Sequence, residues 1–124
     1  MRNAAEFYRM EQLRGMVDNK NPKELLMLTF SEIISNLRKI NLAIEKKDIE
    51  LKCSLVNKTN DIIQLGLISA LDKKINAQLV ESLFTFYSES VKRLTYINVT
   101  NNSELLSKLI VDFSELRDCF EKCD

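Results

Sequence analysis

Between Leu79 and Leu94 the chain reads LVESLFTFYSESVKRL. At helical spacing one apolar row runs Leu79, Leu83, Phe86, and a second runs Val80, Phe84, Tyr87, Val91, Leu94. A surface helix needs one apolar stripe to face its core. Two adjoining rows make a band wider than one neighbouring helix covers. Either this helix sits in the middle of a bundle, or part of the band is kept for a molecule outside the chain.

The remaining pattern supplies three more long helices. Asn21-Pro-Lys-Glu24 is a helix start, with Asn21 at the N-cap, Pro22 at the first helical position and Glu24 reciprocating. Leu26, Phe30, Ile33, Leu37, Ile40 and Ile44 then recur at alternating spacings of four and three, which is a bundle seam. This helix is expected to end near Lys46. Lys47 and Asp48 make a corner, with Asp48 capping a second helix whose seam is Ile49, Cys53, Val56, Asn60, Ile63, Leu67 and Ala70. Leu55, Ile62, Leu65 and Ile68 lie on its flank. Gly66, inside this helix, costs about 1 kcal/mol relative to Ala. Asn60 on a seam is more simply a register device than a site.

The second helix is expected to stop at Leu71-Asp72, before a polar loop in which Asn76 can cap the third. The third ends near Val99. A turn over Thr100-Asn-Asn102 follows, with Asn101 and Glu104 as a capping pair. Leu106, Leu109, Phe113, Leu116 and Phe120 form the last seam, to about Lys122. Short connections make neighbours antiparallel. The expected fold is all-α: one domain over 1–124, with an antiparallel up-down-up-down four-helix bundle over 21–122. Ahead of it stands an N-terminal segment, 1–20, with apolar residues at Phe7, Tyr8, Met10, Leu13, Met16 and Val17. It is either a short helix docked permanently on the bundle or a detachable flap.

Composition narrows the function more than the fold. Lys plus Arg equals Asp plus Glu at 18 each, so no basic stripe for nucleic acid is present. The pairs Lys46–Lys47 and Lys73–Lys74 read as solvated helix ends. Having no His excludes His-based acid–base catalysis and His metal ligation. No Gly-rich phosphate loop or nucleophile motif is present. Cys119 and Cys123 stand one turn apart, but a metal site usually needs four ligands; with Cys53 they read as reduced thiols. No cofactor and no enzymatic activity are expected. No apolar run spans a membrane and no signal sequence opens the chain, so a cytosolic location is expected.

In order and spacing, several short motifs resemble the flagellin-specific export chaperones of the FliS family. Asn21-Pro-Lys-Glu-Leu25 is similar to that family's Ser-Pro-Glu-Glu-Leu helix start, and Asp61-Ile-Ile63 and Leu71-Asp72 to its Asp-Ile-Ile and Leu-Asp. Leu83, Tyr87, Arg93-Leu94 and Asn98 fall on its third-helix pattern, and Leu116-Arg-Asp-Cys-Phe120 resembles its closing Leu-Arg-Glu-Ala-Trp. The likeness covers about residues 21–120. Departures are Phe30-Ser-Glu32 for Tyr-Asp-Gly, Lys73–Gln78 for a Gly-Gly loop, Phe120 for Trp, and one residue too many between Asp61 and Leu71.

The resemblance implies a cytosolic, non-enzymatic chaperone. It would bind the disordered C-terminal region of flagellin, prevent premature polymerisation and hand the client to the type III export gate. It also implies a client wrapped partly as helices in apolar grooves, which the N-terminal segment covers when they are empty. The surplus rows then become candidates for client binding: Leu55, Ile62, Leu65, Ile68, Val80, Phe84, Tyr87 and Val91. Core packing is the plainer account of any one of them alone. Tyr8, Leu13 and Val17 are the candidate flap anchors. The expected protein is a monomer when free and one-to-one with its client. The alternative is a helical adaptor or homodimer that uses the same rows for self-association.

Overall fold

The structure is a computed structural model that describes residues 22–72, 74 and 76–123. The N-terminal segment, with Tyr8, Leu13 and Val17, lies outside the described residues, as does Asn21. Helix α1 spans Pro22–Glu45. Helix α2 spans Ile49–Asp61 and runs on as a π-helical segment, Ile62–Ile68. Helix α3 spans Ala77–Thr100 and α4 spans Ser103–Glu121. α1 packs most extensively on α4 and α2; α3 closes the ring against α2, its π segment and α4. The result is the expected all-α bundle, with sequence neighbours side by side.

The α1 and α4 seams face inward as their spacing requires. Phe30, Ile33, Leu37 and Ile40 of α1 and Leu106, Leu109 and Phe113 of α4 are buried, with Leu26, Ile44, Leu116 and Phe120 packed against them. An aromatic chain crosses the core. Phe30 meets Phe120 at 5.9 Å and Phe113 at 6.4 Å, Phe113 meets Phe86 at 5.1 Å, and Phe86 meets Tyr87 at 5.9 Å. Such tilted pairs contribute about 0.5–1.5 kcal/mol each beyond area burial.

The corners follow from local hydrogen bonding. After α1, the Lys47 amide donates to Ile44 O (3.1 Å) and the Asp48 amide to Ala43 O (2.9 Å). With Lys47 at φ 58°, this is a Schellman closure. Asp48 caps α2 by accepting from the Leu51 amide at 3.1 Å. Asn76 does the same for α3, accepting from the Leu79 amide at 3.1 Å. The α3–α4 turn corrects the expected capping pair. Asn102, not Asn101, caps α4, accepting from the Leu105 amide at 3.0 Å. Asn101 instead ends α3 in the left-handed region at φ 57°, where Asn is tolerated better than most residues.

Asn101 also receives the one buried cation among the described residues. Lys52 is 6% exposed, and its Nζ donates to the Asn98 carbonyl at 2.8 Å and to Asn101 Oδ1 at 2.7 Å. An ammonium at a helix C-terminus is favoured by the macrodipole and supplies donors to carbonyls that end without partners. Lys52→Met keeps the apolar stem and removes these bonds. It should lower stability by roughly 2 kcal/mol, measured by urea unfolding at unchanged m-value.

The second correction concerns α2. A regular helix to Leu71 was expected; the ladder widens after Asp61 instead. The Ser69 amide donates to Gln64 O five residues back, at 3.2 Å. The helix then tightens, with Ala70 bonding Leu67 O and Leu71 bonding Ile68 O, each three residues back. Ile63 and Leu67 are buried and Leu71 packs on the core, while Ala70, expected on the seam, is exposed. At the other end Ile49, also expected on the seam, is 69% exposed, because the inner face of α2 runs through Lys52, Leu55, Val56 and Thr59.

Candidate functional site

Two grooves flank α3, one on each side. The first lies between the end of α2 and the start of α3. It is a cavity of ≈ 580 Å³ lined by Ile68, Leu71, Ala77, Val80, Glu81 and Phe84. Among the described residues its lining is apolar apart from Glu81, and Phe84 stands 51% exposed on it. The second lies between α3 and α4. It is a cavity of ≈ 550 Å³ with Leu83, Phe86 and Leu116 among Ser82, Arg93, Lys108, Asp112 and Glu115. Arg93 Nη1 and Asp112 Oδ2 pair across it at 3.6 Å, and both side chains are partly exposed. Such a pair contributes little to stability, but it bounds the apolar floor. Both cavities are in the size range of ligand sites.

The eight sequence-derived candidates divide. Ile68, Val80 and Phe84 come together in the first groove, although Val80 is itself buried, at 7% exposure. Leu65 and Val91 are half-buried on the flanks, and Val91 packs against the core. Leu55, Ile62 and Tyr87 belong to the core itself, at 8%, 5% and 2% exposure. For these three the expected surface position is corrected, because α2 and α3 turn them inward and a second layer is absorbed by the bundle. Leu71 and Ala77 of the first groove were not among the candidates, and neither was any residue of the second. The row Leu79, Leu83, Phe86 was the signal for that second groove.

Burial of Tyr87 raises its phenol well above the ordinary tyrosine value of 10.0, because desolvation penalises the phenolate. The sign follows. The unfolded chain releases this proton near pH 10 and the folded chain does not, so stability is intact below that pH and declines as pH rises above it. Tyr87→Phe should flatten this alkaline decline, read as thermal midpoint between pH 8 and 11. Among the described residues no group of His, Cys, Asp or Glu is arranged to hold a metal ion.

Fold and site together define a small helical bundle with an apolar groove on one side of α3 and a mixed apolar and charged one on the other. The family described as Flagellar protein FliS matches residues 4–124, so the chain belongs to that family. It is similar to the flagellar secretion chaperone FliSB of Pseudomonas aeruginosa, 28% identical over 106 residues, covering 86% of this chain and 83% of the relative. The flagellar secretion chaperone FliS of Salmonella typhimurium is 24% identical over 102 residues, covering 82% and 76%. That of Escherichia coli is 22% identical over 110 residues, covering 89% and 81%. The chain is thus one of the flagellar export chaperones. Among the described residues no helix is long and apolar enough to cross a membrane.

Proposed function

We propose that this protein binds the disordered C-terminal region of flagellin in the grooves beside α3, keeps it from polymerising and delivers it to the flagellar export gate, with no catalytic step of its own. The observation that carries this is Phe84, a large aromatic side chain left half-exposed on an apolar groove. Each apolar anchor that a client buries there contributes roughly 1.5–3 kcal/mol, while a disordered client loses roughly 2–5 kcal/mol to ordering. One anchor is not enough, and two grooves along one helix allow several.

The test is calorimetric titration with a C-terminal flagellin segment from the same source. Saturable one-to-one binding with a negative heat-capacity change supports the proposal. No binding, with the protein sedimenting as a tight dimer, would favour the adaptor alternative. The N-terminal segment is proposed to compete for a groove through Tyr8, Leu13 and Val17. Deleting residues 1–20 should then tighten client binding, because a tethered competitor is lost. Equal or weaker affinity on titration would remove the flap.

A further inference from the structure

A third cavity lies at the other end of the bundle, where the α1–α2 corner meets the α3–α4 turn. It measures ≈ 330 Å³. Along α3 it is about 25 Å from Phe84 of the first groove, at 1.5 Å per residue. Ile44 and Ile49 supply apolar lining; Lys47, Asp48, Lys52 and Asn101 supply the polar part. Ile49, 69% exposed, and Lys47, also exposed, stand at its mouth. Lys52 is the unusual member. A lysine is almost never buried to 6% exposure unless an anion pairs with it. Here the acceptors are neutral, the Asn98 carbonyl at 2.8 Å and Asn101 Oδ1 at 2.7 Å. Among the described residues no carboxylate pairs with Lys52. An ammonium carries three donors, so one of them is left over. Asp48, the acid of the lining, already caps α2 through Oδ1. Two cations, Lys47 and Lys52, against this one acid leave the lining with one net positive charge.

We infer that this cavity binds a carboxylate carried on a short apolar body. A partner chain presents that chemistry at an apolar C-terminal residue, and a free branched-chain acid presents it alone. The carboxylate takes the third Lys52 donor, and Asn101, whose Oδ1 is held by Lys52, offers its Nδ2. Hydrogen bonds with an ionised partner are roughly twice as strong as neutral ones, and burial of the ammonium strengthens them further. The apolar body packs against Ile44 and Ile49. A small cavity with apolar walls and a few convergent polar groups is the usual form of such a site. The inference stands apart from the flagellin proposal, because neither groove beside α3 includes these residues.

Titration of the full chain with N-acetylleucine, followed by its backbone amide resonances, tests this. Shifts confined to residues 43–52 and 98–101 should saturate with a Kd on the order of 1 mM, in keeping with a ligand of this size. N-acetylleucine amide has the same body without the charge and should give no saturable shift. Lys52→Met should weaken binding roughly tenfold or more, because the charged donor is gone. Isocaproate, which has the same body without the peptide group, separates the two sources. Weaker binding than N-acetylleucine assigns the cavity to a chain end, equal or tighter binding assigns it to a free acid, and either sustains the site. If Lys52→Met does not fold, Ile49→Ser decides. That side chain is 69% exposed, so the thermal midpoint should hold while affinity falls roughly three- to tenfold. No saturable shift, equal binding of the amide, or undiminished affinity in the variant that folds overturns the inference.

Discussion

Phe84→Ser should weaken binding of the flagellin segment by roughly 10- to 100-fold and leave the thermal midpoint within a few degrees of wild type. Phe84 is 51% exposed in the free protein, so its removal costs the fold little. A client closing over it buries the remaining half of the ring, and serine would place a hydroxyl without a partner in an apolar groove. The two effects together are worth roughly 1.5–3 kcal/mol, and each 1.4 kcal/mol is tenfold in affinity. Titration of the variant beside its melting curve measures both. Wild-type affinity would remove Phe84 from the site; a collapsed midpoint would assign it to the core. Val91→Ser should behave differently, lowering the midpoint as well as the affinity, because Val91 packs against the core.

Phe113→Ala has the largest expected effect on the fold itself. Phe113 is fully buried and sits between Phe30 of α1 and Phe86 of α3. Truncating a core Phe costs roughly 3–5 kcal/mol through lost transfer energy and the cavity left behind. For a domain of this size that is a substantial part of the total, and the midpoint should fall by roughly 10–20 °C. Phe86 also lines the second groove, so removing Phe113 loosens a floor residue from behind. Client affinity at temperatures where the variant stays folded should therefore drop as well. A variant that melts early but binds normally would separate the second groove from the client site.

The sequence was most informative where one residue type has one mechanical use. The α1 and α4 seams were legible because each helix has a single apolar stripe with one place to go. Asp48 and Asn76 were legible as caps because a side-chain acceptor just before an apolar run has few other roles. The turn at Asn101–Asn102 was ambiguous because either Asn can end one helix or begin the next. Only the backbone, with Asn101 at positive φ and Lys52 bonded to it, assigns the two. The site was half legible. Two apolar rows on α3 signalled more apolar surface than one contact needs. Spacing alone did not say that Tyr87 turns inward while Phe84 stays out, since the two differ only in which side of the stripe meets α2. The π segment was not signalled by any pattern, because hydrophobic periodicity assumes the very ladder that changes there.

A long contact joins the first helix to the last, and it is pinned by Lys23, whose Nζ donates to the carbonyls of Glu121 (2.7 Å) and Cys123 (2.6 Å), 98 and 100 residues away. α4, though joined to α3 by a two-residue turn, leaves a cavity beside it and belongs mechanically to α1. Folding order follows from this. Two helical hairpins can form locally and fast, but the contact that closes the ring spans nearly the whole chain and carries the largest loop-closure entropy. Rare openings of the native protein should part the loosely filled line between α3 and α4 before the α1–α4 face. In amide hydrogen exchange, the partners α1 and α4 would then outlast the start of α3. The helix flanked by grooves is thus the part of the bundle free to move first.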